Sequence, residues 1–393
     1  MPSPSNSRAK GRLGLLARAL AHSLGPRRAP GAPATILVAH RLLLGDTLML
    51  APLFAALRRQ HPAADIVTTC APALVPLFAG RPYGVRALAF DPRRPETLAA
   101  LYAEARRLGG FDLALVPGDN RHALLARALG SRWIAALAAD RPAWKNALCD
   151  ELRPWPAAPT ALADIFASLA APAAPGRYAP ADWPAPPAAP FQRPAGPYAV
   201  LHVGAGSPLR HWAPAHWQAL AEHLEACGLQ PVWSCGPGET AALAGIDAVG
   251  RYPAFPGTLD LAQLWQLLAG ARLLVCPDTG VAHLGKVVGV PTVCLFGPGS
   301  PALFGAGSFW SEAPFAAVGE AHFPCRDQHT LFKRVLPWVE RCQRSPRECQ
   351  RARCMEAVSL PAVQAAIASL LPELAGDRLS SDPDAASTVH VPS

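Results

Sequence analysis

From Thr35 onward the chain alternates between short apolar runs and longer stretches whose apolar residues recur every three or four positions. TILVAH, beginning at Thr35, has strand length. TLMLAPLFAALRRQHP carries a helical stripe that ends near Pro62. DIVTTC and FDLALVPG repeat the strand pattern, with the short helical run PALVPLFAG between them. This alternation predicts a parallel sheet covered on both faces. It stops near residue 172, where Pro and Ala dominate, as in APPAAPFQRPAGP, a composition that cannot sustain ladder hydrogen bonds. It restarts at YAVLHVGAGS and runs on through AHWQALAEHLEACG (helix), LQPVWSCGPGE (strand), LAQLWQLLAGA (helix), RLLVCPDTG (strand), VAHLGKVVG (helix) and PTVCLFGPGSP (strand). A last helix begins at Leu360.

The expected organisation is a basic flexible arm over 1–33 and a Rossmann-like domain over 34–171. A Pro/Ala-rich linker over 172–197 leads to a second Rossmann-like domain over 198–358, which includes a Cys/Arg-rich segment over 325–354. A C-terminal helix over 359–375 and a disordered tail over 376–393 complete the chain. The class is α/β, with two Rossmann-like domains facing a cleft. Ligands of such sheets bind beyond the carboxyl ends of the strands.

Length and charge sharpen this picture. A chain of 393 residues suits two domains, each able to bury a core. Its Leu/Ala runs are interrupted well before the roughly 20 apolar residues of a membrane span, so no transmembrane helix is expected. The net charge is +8, and Arg8, Lys10, Arg12, Arg18, Arg27, Arg28 and Arg41 place +7 of it in the first 45 residues, which hold no acid. The nearly neutral remainder argues against nucleic acid as a partner. Within the arm, RLGLLARALAHSL (Arg12 to Leu24) reads as a helix with leucines at helical spacing, suited either to an anionic membrane surface or to a loose tail. No secretory signal is evident, so the ten cysteines are expected to be reduced and most of them to be small core residues.

Candidate chemistry lies in the turns after strands. Gly45 and Asp46 follow the first strand; Asp46 is either a helix cap or a general base. Gly204 and Gly206 precede a helix, where backbone amides can cradle a diphosphate, and Arg210 follows to pair with phosphate oxygens. No GxGxxG is present, which disfavours a nicotinamide cofactor. In PDTGVAH, Asp278, Thr279 and Gly280 form a turn into a helix that carries His283. A hydroxyl, free amides and a helix start together make an anion site. Glu239 either binds ribose hydroxyls or is exposed, and the Gly/Pro loop from Phe296 to Pro301 either shapes a pocket or is an ordinary turn.

These segments resemble the ADP-heptose:lipopolysaccharide heptosyltransferases, glycosyltransferase family 9, over about Thr35 to Leu371. The matching stretches are ILVAHRLLLGDTLMLAPLFAALRRQHP, LRHWAPAHW, PDTGVAHLGKVVGVPTVCLFGPGSP and RCMEAVSLPAVQAAI. The resemblance implies a GT-B fold, an acceptor-binding first domain and a second domain that binds the nucleotide sugar. It implies inverting transfer of a sugar, heptose from ADP-heptose, to a hydroxyl of a lipopolysaccharide core or related acidic glycolipid. It makes Asp46 and Arg210 the catalytic residues. Gly204, Gly206, Trp212, Glu239, Asp278, Thr279, Gly280 and His283 then contact the donor, and Gly45 and Arg41 lie on the acceptor side. Two departures stand out: Arg210 replaces the family's frequent Lys, and the proline expected after Trp212 falls at Pro214. No DxD-type motif stands near these turns, so no metal is expected for catalysis. A bacterial protein of this kind would be cytoplasmic and peripheral on the inner face of the inner membrane.

Cys325, Cys342, Cys349 and Cys354 fall within thirty residues, spaced unlike paired CxxC knuckles. They are either free thiols or a structural zinc or iron site, the latter raised by protein-modifying relatives that carry cysteine-bound iron. Alternatives to the main reading are a GT-B transferase or epimerase using another nucleotide sugar, a protein heptosyltransferase, and a non-catalytic sugar-nucleotide or glycolipid-binding module.

Overall fold

The structure is a computed structural model that describes the backbone of residues 4–23 and 27–376. Two six-stranded sheets organise it. The first contains β1 (Thr35–Val38), β2 (Asp65–Cys70), β3 (Val85–Ala89), β4 (Phe111–Val116), β5 (Ser131–Leu137) and β6 (Glu151–Arg153), in the order β3-β2-β1-β4-β5-β6. The second contains β7 (Tyr198–His202), β8 (Gln230–Cys235), β9 (Ala254–Pro256), β10 (Leu273–Pro277), β11 (Thr292–Leu295) and β12 (Phe315–Val318), in the order β12-β11-β10-β7-β8-β9. All pairings within both sheets are parallel. Each sheet thus repeats one doubly wound order, and its strand order reverses between the first and fourth strands. Those two reversal points face each other.

The helices follow the apolar periodicity. The first half carries α1 (Pro4–Ser23), α2 (Leu44–Leu48), α3 (Ala51–Gln60), α4 (Pro95–Leu108), α5 (His122–Ala128) and α6 (Leu162–Ala167). The second carries α7 (Pro214–Ala226), α8 (Thr240–Ala244), α9 (Leu261–Ala269) and α10 (Gly280–Val288), and a helix over Leu360–Leu370 packs near its end. The single helix expected after β1 is two pieces, α2 and α3, separated by Met49 and Leu50. PALVPLFAG forms a 3-10 turn over Pro72–Phe78, because Pro76 cannot donate a helical hydrogen bond. One hydrophobic cluster runs through both halves: Ile36, Phe54 and Leu77 share it with Val200, Leu274 and Phe296.

Three segments differ from expectation. The arm is a docked helix, with Ala19 buried and Arg18 stacked 4.2 Å over the Tyr102 ring. Leu24 and the tail over 377–393 lie outside the described residues. The Pro/Ala-rich stretch has no strand, but it is seated: Trp183 is buried, donates to the Leu77 carbonyl at 2.8 Å and lies 5.0 Å from the Phe78 ring. The Cys/Arg-rich segment is a strap between the halves. At its root, Arg326 donates to the Gly297 carbonyl of the second half at 2.6 Å. Its tip is the hairpin of β13 (Thr330–Leu331) and β14 (Arg334–Val335), whose Arg334 is fully buried in the first half. There Arg334 donates to Gly118 O, Ala138 O, Leu137 O and Asn120 Oδ1, and stands 3.6 Å from Asp140.

Replacing Arg334 with Met keeps bulk but takes the guanidinium donor from Gly118 O and Asn120 Oδ1 and leaves Asp140 with Lys145 as its one cationic partner among the described residues. Breaking a buried pair of this kind costs about 3–5 kcal/mol. Arg334→Met is therefore expected to lower the midpoint of urea unfolding clearly; an unchanged midpoint would contradict the role given to the strap.

Candidate active site

The turns after β1, β7 and β10 meet where the two sheets face. Residues 44–46 begin α2, and residues 279–280 begin α10. Both starts are glycine-assisted. A Cβ on Gly45 would stand 2.8 Å from His283 Cδ2 and 3.2 Å from Gly280 Cα, and one on Gly280 would stand 3.0 Å from Leu44. The two helix starts therefore meet across the cleft at Gly45 and Gly280, with the His283 ring and the Leu44 side chain packed directly onto the two glycines.

The cleft holds a cavity of about 520 Å³ lined by Gly45, Asp46, Arg210, Asp278, Thr279, Gly280 and His283, together with Arg341, Lys333 and Gln343 of the strap. Asp46 is not the cap of α2: that position is Leu43, and no side chain caps the helix. Its carboxylate is half-buried. Loss of hydration raises its pKa to about 6, against the pull of Arg341 and Arg210 and with a push from Asp278. Asp278 is buried and its pKa is also raised, first by burial, while Arg210 and Arg341 oppose the rise. The carboxylate of Asp278 lies against Gly299, where a Cβ would collide with it, so the loop after β11 gives it room. Arg210 donates from Nη1 to the Asp278 carbonyl at 2.7 Å.

Two polar atoms at the start of α10 are buried without a partner: Thr279 Oγ1 and His283 Nδ1. Burial, aided by Lys286 and Arg210, holds the imidazole well below its usual pKa, so it is neutral near pH 7. Lys286, one turn on, is turned away from the cleft. It donates to Gly305 O at 2.6 Å and faces the Trp310 and Phe315 rings.

A second cavity of about 350 Å³ adjoins the first and shares Leu43, Gly45, Thr279 and Gly280 with it. Gly204, Gly206 and Glu239 line it, beside apolar Phe255, Leu259 and Leu264. Glu239 accepts from Gly236 N at 2.8 Å and packs onto Gly204, where any Cβ would overlap its carboxylate.

Two expected residues are elsewhere. Trp212 lines neither cavity: it is buried, donates to Val358 O at 2.7 Å and packs against Trp217, because a large indole with one donor is satisfied inside the core. Arg41 is exposed and stands 3.7 Å from Asp91, outside both cavities. Sequence reading missed Arg341, the cation with the largest pull on Asp46; the only signal was the basic run around it. Cys325, Cys342, Cys349 and Cys354 line one cavity of about 420 Å³ and are all free. The Arg344 guanidinium stands 3.7 Å from Cys342 Sγ. Among the described residues no group of three or more His, Cys, Asp or Glu side chains is arranged to hold a metal ion.

Because the folded state raises the pKa of Asp46 above its unfolded value, the folded state binds the extra proton, and stability falls as pH rises through about 6. Asp46→Asn removes this burden. It is expected to melt several degrees above the wild type at pH 8 and to lose that advantage by pH 4; a gain of equal size at both pH values would show that Asp46 is not the titrating group.

Similarity to known proteins extends to part of the sequence and to the fold. Residues 163–335 match the family model described as glycosyltransferase family 9 (heptosyltransferase). Lipopolysaccharide heptosyltransferase 1 of Pseudomonas aeruginosa is 38% identical over 155 residues, which is 37% of this chain and 44% of that relative. The match thus spans less than half of the curated relative. E. coli heptosyltransferase WaaC with ADP superposes with a TM-score of 0.62 at 16% identity, over 86% of this chain and 99% of that one. E. coli ADP-heptose lps heptosyltransferase II gives 0.61 at 18% identity, over 88% and 99%. At such identities the superpositions speak for the fold, which is the two-domain GT-B architecture. Over residues 163–335 the sequence thus resembles glycosyltransferase family 9, and over most of its length the chain shares the fold of the two E. coli heptosyltransferases.

Proposed function

We propose that the chain is an inverting glycosyltransferase that moves a sugar, heptose from ADP-heptose, to a hydroxyl of an acidic lipopolysaccharide-core acceptor. One observation carries this reading: the cavity between the sheets sets the Asp46 carboxylate, raised to about 6 and with no hydrogen-bond partner among the described residues, against two arginines and the start of α10.

The chemistry is a single displacement. Asp46 takes the proton of the acceptor hydroxyl as its oxygen attacks the anomeric carbon. The bond from that carbon to the diphosphate oxygen breaks on the opposite face, which inverts the centre. Negative charge then grows on the leaving nucleoside diphosphate. Arg210, Arg341, the hydroxyl of Thr279 and the first amides of α10 stabilise it in a partly dry site. With these cations on the protein, the reaction is expected to need no divalent metal. The adjoining cavity suits the nucleoside: Glu239 accepts from ribose hydroxyls, and Phe255, Leu259 and Leu264 flank the base. The acceptor enters over the first half, beside Lys333 and Gln343 of the strap. Such an acceptor places the enzyme at a membrane surface, facing the cytoplasm. Four thiols in one cavity support a test of the Cys₄ reading. Stoichiometric zinc or iron in gently purified protein establishes a structural metal, and four thiols that titrate freely in the native state retire it.

The purified protein is expected to release nucleoside diphosphate from ADP-heptose only when a lipopolysaccharide-core acceptor is present, and to do so in the presence of EDTA. UDP- or GDP-sugars turning over faster would move the donor assignment. Asp46→Asn is expected to lower kcat by about 10²–10⁴-fold, and Arg210→Ala by about 10²–10³-fold. The wild-type rate should fall as pH drops through about 6, where Asp46 gains its proton. A pH-independent rate from 5 to 8, or full activity in Asp46→Asn, would remove Asp46 as the base.

A further inference from the structure

The tip of the strap is held in a backbone conformation that its residues disfavour. β13 and β14 pair with Leu331 opposite Arg334, which leaves a turn of two residues, Phe332 and Lys333. Both are left-handed, with φ of 45° and 65°. Two-residue hairpin turns favour this region, and Asn or Gly normally fills it. Phe and Lys adopt it at a cost in free energy, so the flanking structure must impose it. Leu331 and Arg334 are buried, the Phe332 ring lies 6.0 Å from Phe166, and the Phe332 carbonyl accepts from Arg334 at 2.9 Å. Gln343 braces the start of the hairpin: its Nε2 donates to Thr330 O and to Thr330 Oγ1, both at 3.1 Å.

The outcome is an ammonium group carried to a fixed place. Lys333 lines the cavity of about 520 Å³ in the cleft, is exposed, and has no hydrogen-bond or ion-pair partner among the described residues. The other two cations on that wall are engaged. Arg210 donates to Asp278 O, and Arg341 lies 5.5 Å over the Phe304 ring and draws on Asp46 and Asp278. A diphosphate at the start of α10 takes up both arginines. Lys333, on a hairpin seated in the first half, is then left for a second anion.

Given the transfer reaction proposed above, on which this rests, we propose that Lys333 is a specificity-determining residue for the acceptor. Its ammonium pairs with an anionic substituent, a carboxylate or a phosphate, beside the hydroxyl that receives the sugar. A compact ammonium on a long stem suits either anion, because it needs no fixed fork geometry. The strained turn fixes where that stem begins, so less conformational freedom is lost when the acceptor binds.

Steady-state kinetics of the full chain, with ADP-heptose and a lipopolysaccharide-core acceptor each varied in turn, test the assignment. Lys333→Gly relaxes the turn and removes the charge. It is expected to melt no lower than the wild type, to raise the acceptor KM at least tenfold, and to leave the donor KM and the kcat at saturating acceptor within twofold. Lys333→Arg should bring the acceptor KM back to within threefold of the wild type. Arg347→Gly, which removes an exposed charge elsewhere on the strap, should change it less than twofold. The acceptor is then neutralised in two arms, by phosphatase treatment and by methyl esterification of its carboxylates. In one arm the wild type should lose the factor that Lys333→Gly loses on the native acceptor, while the variant is indifferent; that arm names the anion. A wild type inactive with every nucleotide sugar and acceptor overturns the transfer reaction and this role with it. An active wild type whose Lys333→Gly variant keeps its acceptor KM, or shows the same rise on native and neutralised acceptors, overturns the role of Lys333 alone.

Discussion

The contact of two helix starts across the cleft, Gly45 against Gly280 and His283, is the constraint on which the site depends. Each helix start is an end of its own sheet's reversal point, so bringing the two together aligns the halves face to face. A side chain at either glycine would have to push aside His283, Leu44 or the facing backbone. With the gap closed, Asp46 loses water without gaining a partner, and Thr279 and His283 are sealed beneath it.

The charges in the cleft form a balanced set. Asp46 and Asp278 repel one another, and both are raised by burial, while Arg210 and Arg341 draw them down. Arg341 is itself lowered by burial and by Arg210. Two carboxyls and two guanidiniums therefore share a poorly hydrated space without a direct ion pair between Asp46 and either arginine. Neither arginine is paired with Asp46, and Arg210 spends one donor on the Asp278 carbonyl.

Much of this was legible in the sequence. The β/α alternation and the turns after strands located both sheets and most of the cleft, because parallel strands are apolar throughout and ligand sites sit at their carboxyl ends. Gly45, Asp46, Arg210, Asp278, Thr279, Gly280 and His283 do converge. Trp212 was misplaced because a tryptophan beside a functional arginine carries no mark of the direction its ring takes, and its indole found a carbonyl in the core. Arg41 follows the right strand but leans toward Asp91. Arg341 sits in a run where most arginines look alike; only the path of the strap, anchored at both ends, selects it. The arm read as flexible because Ser, Pro and Arg surround its one apolar run, whereas buried Ala19, Leu15 against the core and a stacked Arg18 seat it.

The anchoring of the strap bears on how the protein is made. Arg334 fills a place in the first half prepared by Gly118, Asn120 and Asp140, about two hundred residues earlier in the chain. As the polypeptide leaves the ribosome, the first sheet is complete long before that arginine exists. During this interval Asp140 relies on Lys145 alone among cationic partners, and several carbonyls face an open slot. The first half therefore cannot reach its final stability on its own during synthesis. It waits, partly finished, until the second half has been translated and its strap delivered, so the two halves mature together.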